Sequence, residues 1–161
     1  MSSLNAPIAP SPAFFADAML GSLTRWLRTL GYDTAYEKTI ADETLIERVL
    51  TEHRWLLTRD RNLVQRKVLR DRHTLIVSDQ LQDQLRQLQL DLHITFDLSD
   101  DTVSRCASCN DILNPIPHEE AARKVPSYVA SSHLRFVQCQ NCGRIYWPAP
   151  IGRTCSQASK S

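Results

Sequence analysis

Four cysteines and four aspartates hold most of the chemistry in this chain. Cys106-Ala-Ser-Cys109 and Cys139-Gln-Asn-Cys142 are two C-x-x-C pairs, with 29 residues between Cys109 and Cys139. Each pair brings two thiolates within reach of one ion, and the two pairs together make a tetrahedral Cys₄ set suited to Zn²⁺. Asn110 and Gly143 follow the pairs, and both residue types tolerate the tight turn that a knuckle needs. Two disulfides, or a thioredoxin-like redox motif, are the competing readings. Neither C-x-x-C opens a helix after a strand in a βαβ unit, so a structural zinc site is the favoured reading. Four protein ligands close the shell, so such a site holds a fold and does not catalyse.

The second group is Asp17, Asp60 and Asp79, with Asp42 beside them. Each of the first three sits where a short apolar run ends, and Asp42 stands near the start of a helical pattern. In an open α/β sheet, strand ends of this kind face a common crevice. Carboxylates gathered there repel one another unless a cation lies between them. Oxygen ligands select Mg²⁺ or Mn²⁺, and such an ion orients water and stabilises a phosphoryl transition state. The plainer reading is a helix N-cap, which carries equal weight at Asp42 and Asp79. Arg59 and Arg61 flank Asp60, as suits a phosphate beside a metal, or a solvated ion-pair network. Arg25 and Arg28, three apart, read either as a clamp on RNA phosphates or as surface charge. Trp26 reads as packing before base stacking. Lys67, Arg70 and Arg72 add basic charge of equally open purpose.

The surrounding pattern tells what must position these residues. Short apolar runs at 13–16, 34–36, 55–58 and 75–77 alternate with helical periods. Those periods run through Leu20, Leu23, Leu27 and Leu30, closed by Gly31; through Leu45, Ile46, Val49 and Leu50; and through Leu81, Leu85 and Leu88. A short helix is expected through Leu63, Val64 and Val68, and a fifth strand at 93–96. The rhythm predicts an α/β fold with a parallel sheet flanked by helices, followed by a small zinc-ribbon module. The expected divisions are a disordered leader 1–12, an α/β domain 13–100, a zinc module 101–150 and a flexible tail 151–161. Cys155, in that tail, is a spare thiol. Residues 1–12 lack the basic and apolar regions of a signal peptide, and no apolar run has transmembrane length. Cysteines in metal spacing point to a reducing, cytoplasmic setting. Residues 1–100 carry 12 basic and 14 acidic side chains, and residues 101–161 carry 7 and 4. Any nucleic-acid site is therefore local, not a global field.

Several stretches resemble one family. Phe15-Ala16-Asp17-Ala18-Met19-Leu20-Gly21-Ser22-Leu23-Thr24-Arg25-Trp26-Leu27-Arg28, then Leu30-Gly31-Tyr32-Asp33, looks like the opening of the Mut-seven C-terminal RNase domain, a group of PIN-like nucleases. Leu57-Thr58-Arg59-Asp60-Arg61 is similar to its second motif. Arg105-Cys106 through Asn110, and Cys139 through Gly143 with Tyr146-Trp147, are similar to its zinc-ribbon end. The resemblance spans about residues 13–148. It implies a PIN-like sheet, a carboxylate-bound Mg²⁺ or Mn²⁺ and hydrolysis of RNA, with acidic roles on Asp17, Asp42 and Asp60, and Asp79 as a fourth. It departs in one place: where the family shows a Gly-Ser-His-like element after Tyr-Trp, this chain reads Pro148-Ala149-Pro150-Ile151-Gly152, with no His. The expected function is a metal-dependent ribonuclease whose zinc ribbon assists RNA binding and whose Arg25, Arg28 and Arg59 contact substrate. A non-catalytic RNA- or ribosome-binding zinc-ribbon module is the alternative, and an adaptor with a structural acidic cluster is a third.

Overall fold

A computed structural model describes residues 12–96, 105–147 and 156–158. The chain divides into two compact units, one comprising residues 1–24 and 32–95, the other residues 25–31 and 96–161. Each is described separately.

The first unit is built on four parallel strands: β1 (Phe14–Ala16), β2 (Thr34–Tyr36), β3 (Trp55–Thr58) and β4 (His73–Leu75), in the order β2-β1-β3-β4. All three residues of β1 are fully buried, as a central parallel strand covered on both faces requires. Successive side chains alternate between faces. Phe15 and its register partner Leu56 therefore pack together with Leu45, Ile46 and Val49 of helix α2 (Asp42–Thr51), and with Leu63 and Leu69. Each such side chain contributes about 1.5–3 kcal/mol on burial.

Helix α1 (Gly21–Thr29) follows a 3₁₀ turn at Ala18–Leu20, and the unit boundary falls inside it. Its leucine stripe is buried at Leu20, Leu23 and Leu27. Gly31 at φ 98° closes it, as only a residue free of a Cβ does cheaply. Leu63–Gln65 and Lys67–Leu69 form two 3₁₀ turns in place of the expected short helix. β4 lies two residues earlier than its apolar run, because β3 pairs from Leu56 with His73 to Thr58 with Leu75. No fifth strand forms at 93–96. His93 ends helix α3 (Leu81–Leu92) in the left-handed region at φ 54°, and the sheet stops at β4.

The second unit carries an antiparallel sheet of β5 (Leu113–Ile116), β6 (Phe136–Cys139), β7 (Ile145–Trp147) and β8 (Ser156–Ala158), paired in chain order. β8 lies within the segment expected to be a flexible tail and pairs with β7. The long gap between the cysteine pairs holds β5, β6 and two short helices, α4 (His118–Ala122) and α5 (Ser127–Ser132). Period-2 alternation sorts the sheet into two sides. Phe136, Ile145 and Trp147 pack with Ala121, Val125 and Val129 beside the helices. Leu113, Cys139 and Tyr146 pack with Cys106 and Ala107 on the other side. Residues 1–11 of the expected leader, the segment 97–104 and Cys155 lie outside the described residues.

Candidate metal centre and carboxylate crevice

The two cysteine knuckles repeat one backbone pattern. In the first, Asn110 N donates to Cys106 O at 2.8 Å and Cys106 N to Asp111 O at 2.8 Å. In the second, Gly143 N donates to Cys139 O and Cys139 N to Arg144 O, both at 2.9 Å. Asn110 and Gly143 have φ of 69° and 80°. This is the left-handed turn that aims both sulfurs of a pair the same way. The four Sγ atoms all lie within 4.8 Å of one another. Cys106 Sγ and Cys142 Sγ are 3.7 Å apart, close to the edge of about 3.8 Å of a tetrahedron with 2.3 Å Zn–S bonds. That spacing is far beyond a disulfide bond, and all four cysteines are free. Burial pushes the Cys109, Cys139 and Cys142 thiols up. Burial acts the same way on Cys106, but hydrogen bonds from Tyr146 and from the Cys109 and Ser108 amides outweigh it and bring Cys106 down. Four soft sulfurs in this geometry fit a zinc ion.

Three other side chains support the knuckles. Tyr146 Oη lies 3.1 Å from Cys106 Sγ and accepts from Ala107 N at 3.1 Å; burial, and then the Cys106 sulfur, push its phenol upward. Arg144 Nη1 donates to Ser108 Oγ at 2.6 Å. Arg28 is 7% exposed and donates from Nη1 to Ala107 O at 2.9 Å and Ser108 O at 3.3 Å. Its guanidinium anchors the first knuckle from inside, where the expectation had placed it on RNA phosphates. Arg25, three residues earlier, is exposed, and Trp26 is half-buried. The Tyr146 role was readable in principle. Alternation along Ile145-Tyr146-Trp147 sets it on the cysteine side, and it pairs with Val137 two residues before Cys139.

In the first unit the strand order reverses at β1: β2 lies on one side of it and β3 on the other. Crevices at the carboxyl ends of strands form at such reversals. Asp17 follows β1 and Asp60 follows β3 by two residues, so both stand at that edge. Asp17 is 9% exposed. Its Oδ1 accepts from Met19 N at 2.9 Å; its Oδ2 accepts from Thr58 Oγ1, and from Arg59 N at 3.2 Å. Asp60 Oδ1 accepts from Asn62 N at 2.8 Å and Leu63 N at 3.3 Å. A carboxylate offers about four acceptor positions. Asp17 thus keeps one open on Oδ1, and Asp60 keeps both on Oδ2.

Capping falls on unexpected residues. Asp17 caps the 3₁₀ turn that follows it; Asn62 stands at the cap of the turn Leu63–Gln65, and Asp60 holds the amides of Asn62 and Leu63 just before it. Asp42 does not cap α2: it occupies the first turn, Ala41 is the cap, and the acid complements the helix dipole. Asp79 does not cap α3 either; Gln80 is the cap, and Asp79 Oδ1 accepts from Gln80 Nε2 at 2.9 Å. Asp42 and Asp79 are both exposed. Arg59 donates from Nη2 to Val77 O at 3.2 Å, and its Nε is buried with no hydrogen-bond partner among the described residues. Among the described residues, the four cysteines are the one group of three or more His, Cys, Asp or Glu drawn close enough to hold an ion; the aspartates do not form a second. Thr58 is the participant that strand-end reasoning missed, although it directly precedes Arg59-Asp60.

No helix among the described residues is long and apolar enough to cross a membrane. Comparison with curated proteins and with solved structures gives no match. Residues 12–157 match the family described as the Mut7-C RNAse domain. With the match covering most of the chain, and with a parallel sheet flanked by helices and a four-cysteine centre in place, the chain belongs to the Mut7-C RNAse domain family.

Proposed function

We propose that this chain is a divalent-metal-dependent ribonuclease with Asp17 and Asp60 as its principal acids. The observation that carries the reading is their common position at the strand-order reversal, with Asp60 N donating to Thr58 Oγ1 at 2.9 Å and Thr58 Oγ1 donating to Asp17 Oδ2. This relay spends one face of the Asp17 carboxylate and leaves open oxygen positions on both acids. Oxygen donors of this kind suit Mg²⁺ or Mn²⁺, which when bound would orient water and neutralise charge on a phosphodiester. Asp42 and Asp79 are the further acids at this edge, acting through water. Arg59 and Arg25 contact RNA phosphates. The unsatisfied Arg59 Nε costs about 1–3 kcal/mol where it lies, and swinging onto a phosphate oxygen removes that cost. The cysteines hold zinc, and the second unit assists RNA binding in a cytoplasmic setting.

One observation favours a non-catalytic RNA-binding module instead: among the described residues no three aspartates are gathered into a close group. A single assay separates the two. Purified chain should cleave single-stranded RNA with Mg²⁺ or Mn²⁺, and Asp17→Asn should abolish cleavage while leaving RNA affinity within about twofold. Equal cleavage by Asp17→Asn would sink the assignment. Binding without cleavage by the parent, with either metal, would establish the binding module.

A further inference from the structure

The edge of the sheet opposite Asp17 and Asp60 carries a cavity of about 580 Å³. Its walls include His53, Arg54, Trp55, Arg70, Asp71 and Arg72. Two tight turns deliver these residues to the amino ends of β3 and β4. His53 and Asp71 both take left-handed conformations, at φ 54° and 65°. Arg54 N donates to Val49 O at 2.9 Å, Arg72 N to Leu69 O at 3.0 Å, and Leu56 N to Arg72 O at 2.9 Å. The basic side chains are therefore carried on backbone that is already fixed.

Their charges are not balanced alike. Arg54 is committed: it donates to Glu52 at 2.7 Å and to Asp33 at 2.9 Å. Arg70 and Arg72 are exposed and make no side-chain hydrogen bond or ion pair among the described residues. Asp71 between them is exposed and likewise unpaired among the described residues, so this turn carries two uncommitted guanidiniums against one carboxylate. The Trp55 indole N–H is committed to Thr74 Oγ1 at 2.7 Å, which leaves the half-buried ring to act as an apolar wall. Two forked cations match the oxygens of a phosphate, and an aromatic surface beside them matches a base. The volume falls in the usual range for small-ligand sites, about 300–1,000 Å³.

We propose that this cavity binds the phosphate of a nucleotide, free or within an RNA strand, on Arg70 and Arg72. The site stands at the other end of β3 from the aspartates, roughly 15 Å away along the strand. It is independent of the carboxylate reading, and its test reads binding and not cleavage.

The test is an NMR titration of the isotope-labelled full chain, in buffer without Mg²⁺ or Mn²⁺. The probes are inorganic phosphate, adenosine 5′-monophosphate and a single-stranded hexaribonucleotide. Shifts should concentrate on the His53 and Asp71 amides and, for the two nucleotide probes, on the Trp55 indole N–H. Arg70→Ala/Arg72→Ala should weaken binding at least about tenfold and lower the hexanucleotide salt slope by about 1.4. Equal affinity for mononucleotide and hexanucleotide assigns the site to free nucleotide; affinity that grows with length assigns it to the strand. Shifts confined to other residues, or a double variant that binds every probe as tightly as the parent, overturn the proposal. Should that variant fail to fold, Asp71→Asn carries the test, since asparagine tolerates the left-handed turn. Removing the acid should tighten phosphate about threefold, and an unchanged affinity overturns the proposal.

Discussion

Asp17 and Asp60, 43 positions apart in the chain, are joined through the Thr58 hydroxyl, which donates to Asp17 Oδ2 and accepts from the Asp60 amide at 2.9 Å. Thr58 is fully buried and Asp17 nearly so, so Asp17 Oδ2 loses a buried donor if the hydroxyl is removed. Thr58→Val keeps the shape and removes the relay. It should cost about 1–3 kcal/mol in urea unfolding, from stranded polar groups. It should also lower RNA cleavage at least tenfold by freeing the Asp17 carboxylate and releasing the backbone amide of Asp60. Thr58→Ser should recover most of both. A valine variant as stable and as active as the parent would show that the relay does not matter.

Arg28 invites a prediction contrary to its surface-charge reading. Its guanidinium is buried against the carbonyls of Ala107 and Ser108. Arg28→Ala should destabilise the chain by about 2–3 kcal/mol, the range for losing charge-assisted hydrogen bonds and leaving buried acceptors. It should also speed zinc release to a chromogenic chelator, while the salt slope of RNA binding stays unchanged. A lower salt slope with normal zinc release would return Arg28 to a phosphate-contact role.

Chain purified without added metal should contain one Zn²⁺, by elemental analysis. Cys106→Ser or Cys139→Ser should lose it and loosen residues 105–147, because metal-binding energy in such modules is folding energy. Full zinc retention in both variants would refute the four-cysteine site.

Glu52 links stability to pH. Hydrogen bonds from Arg48 and Arg54, at 2.8 and 2.7 Å, hold its carboxyl below the usual 4.5. A depressed carboxyl stabilises the fold above its unfolded value and loses that contribution as pH falls through the folded one. The loss should therefore appear below about pH 4.5. The group is partly exposed, so its contribution is a few tenths to about 1 kcal/mol after screening. Glu52→Gln should be that much less stable at pH 7, with the difference closing in acid. A gap independent of pH would point to packing alone.

The features determined by sequence alone are local ones. The knuckles follow from cysteine spacing and from Asn110 and Gly143. The leucine stripe and Gly31 delimit α1, and the runs at Thr34–Tyr36 and Trp55–Thr58 become β2 and β3 without shift. These depend on neighbours a few residues away, through backbone sterics and side-chain period. Tertiary structure decided the rest. Strand order set Asp17 beside Asp60 at the reversal, and pairing with β3 moved β4 two residues earlier. Arg28 went inward because carbonyls 79 and 80 positions away needed a donor. Tyr146 reached Cys106 across 40 positions. A buried polar atom without a partner is costly, and where that partner comes from is settled only when distant segments pack.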